Sequence, residues 1–144
     1  MYPRAKVLGI VYRGDEILVE EFHERHSTGE GVYYRPIGGS IEFGEKSSRA
    51  LIREYYEELK VEIKLGYYLG CLENIFKIDD EIGHELIQLY VGEFVNETDY
   101  EMETFTVTEK NKISIAKWLS LDEFASKHIK LYPDGLLEYL TLNH

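Results

Sequence analysis

Short apolar runs alternate with polar turns along most of the chain, a pattern that predicts β-strands. Residues 5–22 contain two apolar runs that meet at Gly14 and Asp15, and this pair is typical of a β-hairpin turn. Residues 61–76 and 84–95 are rich in β-branched and aromatic side chains and predict two long strands. We therefore expect a sheet to form the bulk of the fold.

Polar segments separate these strands. Residues 23–31 and 96–112 predict surface loops, and residues 77–83 predict a turn. Residues 32–37 form a short extended run that a proline interrupts, and the three glycines within residues 38–45 indicate tight backbone geometry. The glycine-rich stretch leads directly into the one long helical pattern.

The C-terminal third predicts a last strand and two short helices. The strand covers residues 113–120, and the helices cover residues 121–128 and 134–142, with Asp134 as a plausible cap. Strands and helices do not alternate regularly, which argues against a purely parallel, doubly wound sheet.

Residues 47–59 have a helical period. At about 100° per residue, one arc is apolar: Leu51, Ile52, Tyr55, Tyr56 and Leu59. The other arc carries small and acidic side chains: Ala50, Glu54, Glu57 and Glu58. The helix is therefore predicted to pack through one side and to present carboxylates on the other.

Three carboxylates lie within about one and a half turns of this helix. A solvated helix face is the common explanation for such a group. However, Glu54 and Glu58 form a like-charge i,i+4 pair, which costs roughly 0.2–0.5 kcal/mol. Glu57 and Glu58 also lie in the last turn, where the helix dipole disfavours negative charge. A divalent cation such as Mg2+ or Mn2+ would reverse both penalties, because hard ions bind oxygen ligands.

Glu45 and Arg53 flank the acidic cluster in sequence. A surface ion pair between them would contribute at most about 1 kcal/mol. With the preceding glycines they also suggest a loop folded back over the helix, in which Arg53 bridges the loop and the carboxylates and holds their orientation.

Length and charge limit the function classes. The 144 residues predict a single domain, and a formal net charge of −11 disfavours long nucleic acid and anionic membrane as partners. The lone Cys71, which we expect to be a small buried side chain, fits a reducing compartment. No apolar stretch approaches the roughly 18 residues of a membrane span, so we expect a cytoplasmic protein.

The segment GGSIEFGEKSSRALIREYYEELKV, residues 38–61, resembles the Nudix box. The positions that match its pattern are Gly39, Glu45, Arg53, Glu54, Glu57, Glu58 and Val61. Lys60 replaces the last glycine of the box, Tyr55 replaces an aliphatic residue, and the proline of the preceding RPIGG comes one place earlier than in the familiar Pro-Gly-Gly. The substitution at Lys60 predicts either backbone strain or a longer helix.

This resemblance implies an α/β fold, namely the Nudix α/β/α sandwich with a mixed central β-sheet, in a single domain over residues 1–144 with the box at 39–61. It implies metal-dependent hydrolysis of a nucleoside diphosphate linked to another moiety. Mg2+ or Mn2+ would be the cofactor, and a small nucleotide the substrate. The oligomeric state stays open between a monomer and a homodimer.

By the same resemblance, Glu54 and Glu58 are the principal metal ligands and Glu57 is a further or water-bridged ligand. Gly39 or Gly38 would offer a backbone carbonyl to a metal, and both glycines would approach the substrate. Glu45 and Arg53 would order the loop and the helix.

The box pattern does not assign the general base or the side chains that contact phosphate. Among Glu101, Glu103 and Glu109 in the acidic loop, we favour Glu109 as a general base, because it lies near the end of that loop. Arg25 and Arg35 are candidates for contacting phosphate, because a guanidinium can bind two phosphate oxygens at once.

Several alternatives remain open at this stage. A Nudix-like domain that senses a nucleotide without cleaving it is the first, although all the box carboxylates are present. An isoprenoid diphosphate isomerase and an RNA decapping enzyme are further members of the same fold group. The sequence does not identify the nucleotide, the number of metal ions or the general base.

Overall fold

Residues 2–23 and 31–143 are described by a computed structural model, and their strands form a mixed sheet. The chain begins with β1 Arg4–Arg13 and β2 Glu16–Phe22, which the turn at Gly14 and Asp15 connects as predicted. Strand β3 Tyr33–Ser40 then pairs with β2 through its first half and with β1 through its second half. The predicted short run at residues 32–37 therefore continues through both glycines of the box.

The remaining elements follow in chain order. They are α1 Ser47–Leu59, β4 Ile63–Ile78, β5 Glu81–Phe94, a 3-10 turn Glu97–Glu101, β6 Thr104–Glu109, β7 Lys112–Ser120, α2 Leu121–Ser126, β8 Lys130–Leu131 and α3 Leu136–Leu142. In the described ranges, no helix is long and apolar enough to cross a membrane.

The sheet separates two hydrophobic layers. Its strand order is β4-β5-β1-β3-β2-β7-β6, with β1 and β5 parallel, and β8 added to β3. Helix α1 packs on one face through Leu51 and Tyr55, whereas α2 and α3 pack on the other face. The predicted α/β/α sandwich with a mixed sheet is confirmed.

Helix α1 has the predicted bounds, but its two faces differ from the prediction. Tyr55 is fully buried, and its hydroxyl donates a hydrogen bond of 2.9 Å to the carbonyl of Gly9. A Cβ at Gly9 would come within 3.0 Å of this ring, so the glycine leaves room for a tyrosine where the box has an aliphatic residue. Tyr56, which was placed on the packing side, is 56% exposed.

Lys60 ends the helix in the left-handed conformation, with φ of 60°. Its backbone N–H donates to the carbonyl of Tyr56, and its ammonium group donates to the carbonyl of Glu57 at 2.9 Å. Of the two outcomes predicted for this position, backbone strain is the one observed. The helix ends here, and Lys60 adopts the strained left-handed conformation.

We expect Lys60→Gly to raise the free energy of unfolding by about 0.5–1 kcal/mol, because relief of left-handed strain outweighs the added freedom of the unfolded chain. Thermal and urea denaturation measure the change. Lys60→Ala is the control, since it keeps the strain and removes only the ammonium contact. A glycine variant no more stable than the wild type would contradict this explanation.

Three details of the sequence prediction are wrong. Residues 104–109 form strand β6 rather than loop, because Phe105 and Val107 are buried between exposed threonines. Asp134 does not cap α3; Gly135 occupies the cap position, and Asp134 accepts from Lys130. Cys71 is exposed on β4 rather than buried.

Candidate metal and phosphate site

Two of the three helix carboxylates are buried. Glu54 is 9% exposed and Glu58 is 4% exposed, so both lie on the side of α1 that faces the sheet. They are one helical turn apart, and the Glu54 side chain is in hydrogen-bonding contact with the carboxyl group of Glu58. The prediction placed them on a side of the helix separate from the packing side, whereas both are buried, with Glu54 beside Gly39 of β3.

The pKa of Glu58 is raised well above its usual range. Burial is the largest cause, followed by the hydrogen bond with Glu54, which the protonated Glu58 would donate, and the negative charges of Glu54, Glu20 and Glu109. The Oε2 atom of Glu58 is buried without a hydrogen-bond partner among the described residues. The Glu58 carboxyl group therefore favours the protonated form unless a cation balances its charge.

Arg53 ties the preceding loop to the helix. Its Nε and Nη2 donate to the two carboxylate oxygens of Glu45 at 2.8 and 2.9 Å, and Nη2 also donates to the carbonyl of Ser40 at 3.0 Å. This contact with Arg53 is the main reason that the pKa of Glu45 falls to about 2. The predicted bridge between loop and helix is present.

The same guanidinium holds the acidic cluster. Arg53 Nη1 donates to Glu54 at 3.0 Å and to Glu57 at 3.1 Å. Glu57 is exposed, so it lies at the outer rim while Glu54 and Glu58 lie inside. Among residues 2–23 and 31–143, no three His, Cys, Asp or Glu side chains are grouped closely enough to hold a metal ion by themselves. The expected cluster of three carboxylates is thus a pair with a more distant third member.

The two glycines of β3 have different surroundings. A Cβ at Gly39 would lie 2.6 Å from the carboxylate carbon of Glu54, so the glycine leaves room for that carboxylate. A Cβ at Gly38 would collide with the backbone carbonyl of Val7. Gly38 is therefore explained by the close approach of β1, whereas Gly39 borders the acidic pair.

Arg35 lies on β3 two residues before Ile37, next to Glu20 on β2. Its Nη2 is 4.0 Å from Glu20 Oε1, its guanidinium lies 4.9 Å from the ring centre of Phe22, and its Nε is buried without a partner in the part of the chain described. This free donor suits an anion that reaches the site. Arg25 lies outside the described residues.

Glu20 is a buried carboxylate that the sequence analysis missed. It is 5% exposed, its Oε2 accepts a hydrogen bond of 2.7 Å from Ser114, and its charge acts on Glu58. An acidic residue that follows the apolar run of β2 on the same strand face as Leu18 was the signal that could have indicated it.

Glu109 is the last residue of β6 rather than part of a loop. Its side chain is exposed, and its negative charge is one of those that raise the pKa of Glu58. Glu109 therefore lies near the buried pair, as a base at this site would need to do.

The residues present fit a hard divalent cation. Glu54 and Glu58 supply carboxylate oxygens, one of which has no partner among the residues described, and Gly39 leaves room for the Glu54 carboxylate. Mg2+ binds proteins through one or two carboxylates and completes its shell with water and phosphate oxygens. A pair of inner carboxylates with Glu57 at the rim is consistent with that coordination.

Comparison with known proteins identifies the family. The NUDIX domain family model matches residues 2–139. The NAD-capped RNA hydrolase NudC of Haemophilus influenzae is 32% identical over 117 residues, which cover 81% of this chain and 39% of that protein. The NudC protein of Pseudomonas aeruginosa is 29% identical over 123 residues, or 84% and 38% of the two chains. This chain thus spans about two fifths of the length of these curated relatives.

Solved structures share the fold. A NUDIX hydrolase from Nitrosomonas europaea superposes with a TM-score of 0.73 at 20% identity, covering 99% of this chain and 89% of that one. An ADP-ribose pyrophosphatase from Streptococcus suis superposes with a TM-score of 0.62 at 14% identity, covering 98% and 89%. At these identities the likeness concerns the fold alone.

Proposed function

The chain belongs to the Nudix family, and we propose that it hydrolyses the pyrophosphate bond of a nucleoside diphosphate linked to another moiety, in a metal-dependent reaction. The observation that carries this proposal is the buried Glu54–Glu58 pair beside Gly39, in which Glu58 has an oxygen without a partner in the part of the chain described. Two buried carboxylates in contact are costly unless a cation balances them. A catalytic metal explains why the chain keeps both.

In this proposal Glu54 and Glu58 would hold Mg2+ or Mn2+, Glu57 would be a further or water-bridged ligand, and Gly39 would contribute a backbone carbonyl. The ion would neutralise phosphate oxygens and lower the pKa of a bound water. Glu45 and Arg53 act by positioning, because the Arg53 guanidinium fixes the loop, Glu54 and Glu57 together.

The substrate is an anion, whereas the protein carries a net charge of −11. Local cations must therefore receive it. Arg35 has a buried free Nε near the acidic pair, and a guanidinium suits phosphate oxygens. We assign Arg35 to the phosphate chain, with Gly38 as a supporting backbone position and Arg25 as a second candidate.

Glu109 is the proposed general base, since its charge acts directly on Glu58 from the end of β6. We expect Glu109→Gln to lower turnover well over tenfold with little change in melting temperature. Glu101→Gln is the matched control, because Glu101 is also exposed and lies in the preceding 3-10 turn. A rate near that of the wild type for Glu109→Gln would remove this residue as the base.

A small nucleotide is the substrate we favour, because the acidic surface opposes a long polyanion. The similarity to proteins named NAD-capped RNA hydrolase supports a second candidate, in which the substrate is a dinucleotide cap on RNA. Comparing hydrolysis of free NAD with that of NAD-capped RNA separates the two. A single domain over residues 1–144, with a cytoplasmic location, belongs to the same proposal.

The decisive experiment is a hydrolysis screen over nucleoside triphosphates, nucleoside diphosphate sugars, ADP-ribose and NAD, with and without Mg2+ or Mn2+. Glu57→Gln and Glu58→Gln are the site variants, and Glu138→Gln on the opposite layer is the matched control. Activity that survives Glu58→Gln would contradict the site. Binding without hydrolysis across the panel would instead favour a nucleotide sensor.

A further inference from the structure

A cavity of about 130 Å³ adjoins the acidic pair on the side of the β4–β5 hairpin. Gly39 lines it and also contacts the carboxylate of Glu54, so the cavity and the proposed metal site are continuous. Since a buried water needs about 10–15 Å³ by such a measure, the space holds roughly ten waters. A planar ring system with about ten heavy atoms has a size similar to that of this space.

Phe76 provides a flat apolar surface in this cavity. It pairs across the hairpin with Gly83, and a Cβ at Gly83 would collide with the Phe76 ring. The ring therefore lies flat over the glycine backbone, while its remaining surface lines the cavity. An aromatic face held in this way can stack a nucleobase, an interaction that contributes about 1–3 kcal/mol per base.

Asn74 precedes Phe76 by two residues on the same face of β4, about 7 Å along the strand. Its side chain lines the cavity and is only 7% exposed. A buried amide without partners costs free energy. Its position suits contact with the edge of a ring that stacks on Phe76.

Glu85 is the cross-strand neighbour of Asn74 and also lines the cavity. One of its oxygens is 3.9 Å from the exposed Arg4, which leaves carboxylate lone pairs available, because a carboxylate can accept about four hydrogen bonds. Asn74 and Glu85 together offer an amide donor beside a carboxylate that only accepts. A matching ligand edge therefore presents a carbonyl next to N–H donors.

Two cationic side chains also line the cavity. Lys6 donates to the hydroxyl of Ser40 at 2.9 Å, next to Gly39, and Arg35 brings its free Nε. Strands β4 and β3 are three positions apart in the sheet, or about 14 Å. Asn74 and Arg35 are thus separated, as a base and its phosphates are in a nucleotide, whereas Lys6 lies on the strand next to β5 and its charge interacts with that of Glu85.

We propose that this cavity binds the base of the substrate and selects guanine, with the ring on Phe76, O6 accepting from the Asn74 amide, and N1–H and the 2-amino group donating to Glu85. Adenine would direct its N1 lone pair at the carboxylate, and cytosine would direct its N3 lone pair and O2 at it. Uracil would match O6 and N1–H with its O4 and N3–H, but it would direct its O2 at the carboxylate in place of the 2-amino group. This inference rests on the proposed function, because it places the phosphates at Arg35 and Gly39.

Binding of nucleoside monophosphates tests the cavity separately from turnover. Calorimetric titration of the wild-type chain in EDTA with GMP, IMP, AMP, CMP and UMP is expected to show GMP at least tenfold tighter than AMP, with IMP between them because it lacks the 2-amino group. Equal or tighter binding of AMP, CMP or UMP would overturn the assignment. Absence of GMP binding would overturn it as well.

Variants then test the named contacts. Asn74→Leu should weaken GMP binding at least tenfold, and Glu85→Gln should reduce the preference for GMP over AMP. Glu73→Gln is the matched control, because Glu73 is exposed on the opposite face of β4, and it should change neither. A chain that binds GMP selectively but hydrolyses nothing would defeat the proposed function alone. A chain that hydrolyses nucleotides without base preference would defeat the guanine assignment alone.

Discussion

Glu58→Gln is expected to lower metal-dependent turnover by about a thousandfold, or about 4 kcal/mol, without destabilising the metal-free protein. Glu58 is the most enclosed of the helix carboxylates, and its Oε2 lacks a partner in the described part of the chain. Removing this carboxylate removes a ligand, while the neutral amide fits a pocket that already disfavours charge.

The same variant has a pH signature. A carboxyl group whose pKa is raised on folding binds a proton more tightly in the native state, so its contribution to stability is complete below the unfolded pKa and declines as the pH rises. For Glu58 this decline begins near pH 4.5, the ordinary value, and continues through neutral pH. Without metal, Glu58→Gln should therefore gain stability relative to the wild type as the pH increases.

Two measurements check this prediction. In thermal melts in EDTA, the difference in melting temperature between Glu58→Gln and the wild type should grow from pH 5 to pH 9. Mg2+ should raise the melting temperature of the wild type but not that of Glu58→Gln. Glu138→Gln, an exposed helix variant, should follow the wild type throughout. If Mg2+ stabilised Glu58→Gln as much as the wild type, Glu58 would not be a ligand.

Helix α1 shows which features of the site could be predicted from the sequence and which could not. The helical period predicted the bounds of α1. The charges and glycines around the helix predicted that Arg53 would pair with Glu45. Which carboxylates would be buried did not follow, because burial depends on where β3 lies relative to the helix. The Glu54 carboxylate has room there because the chain places a glycine, Gly39, opposite it.

The parts that sequence missed depend on long-range contacts. Strand β6 was hidden by its threonines and acidic neighbours, and only its pairing with β7 makes Phe105 and Val107 part of the core. Glu20 looked like an ordinary strand residue, yet Ser114 from β7 and the charge of Glu58 give it a defined place. Neither partner is near it in sequence.

Gly39→Ala is expected to lower turnover by about a hundredfold, the effect of misplacing a reacting group by about 1 Å, while the protein stays folded. The added Cβ would lie 2.6 Å from the Glu54 carboxylate carbon and 2.7 Å from both of its oxygens. The carboxylate must therefore move away from β3. Because it is the end of a flexible side chain, this movement should cost little stability.

Two further glycines provide the comparison for that experiment. At Gly92 on β5 the nearest atom to an added Cβ is 3.5 Å away, so Gly92→Ala should retain both stability and turnover. At Gly38 the added Cβ would meet the rigid carbonyl of Val7, so Gly38→Ala should lower the melting temperature strongly. Melting temperature, kcat and the Mg2+ concentration dependence measured for all three distinguish a displaced ligand from a damaged fold. Gly39→Ala with more than half of the wild-type kcat at saturating Mg2+ would show that the position of the Glu54 carboxylate does not limit the reaction.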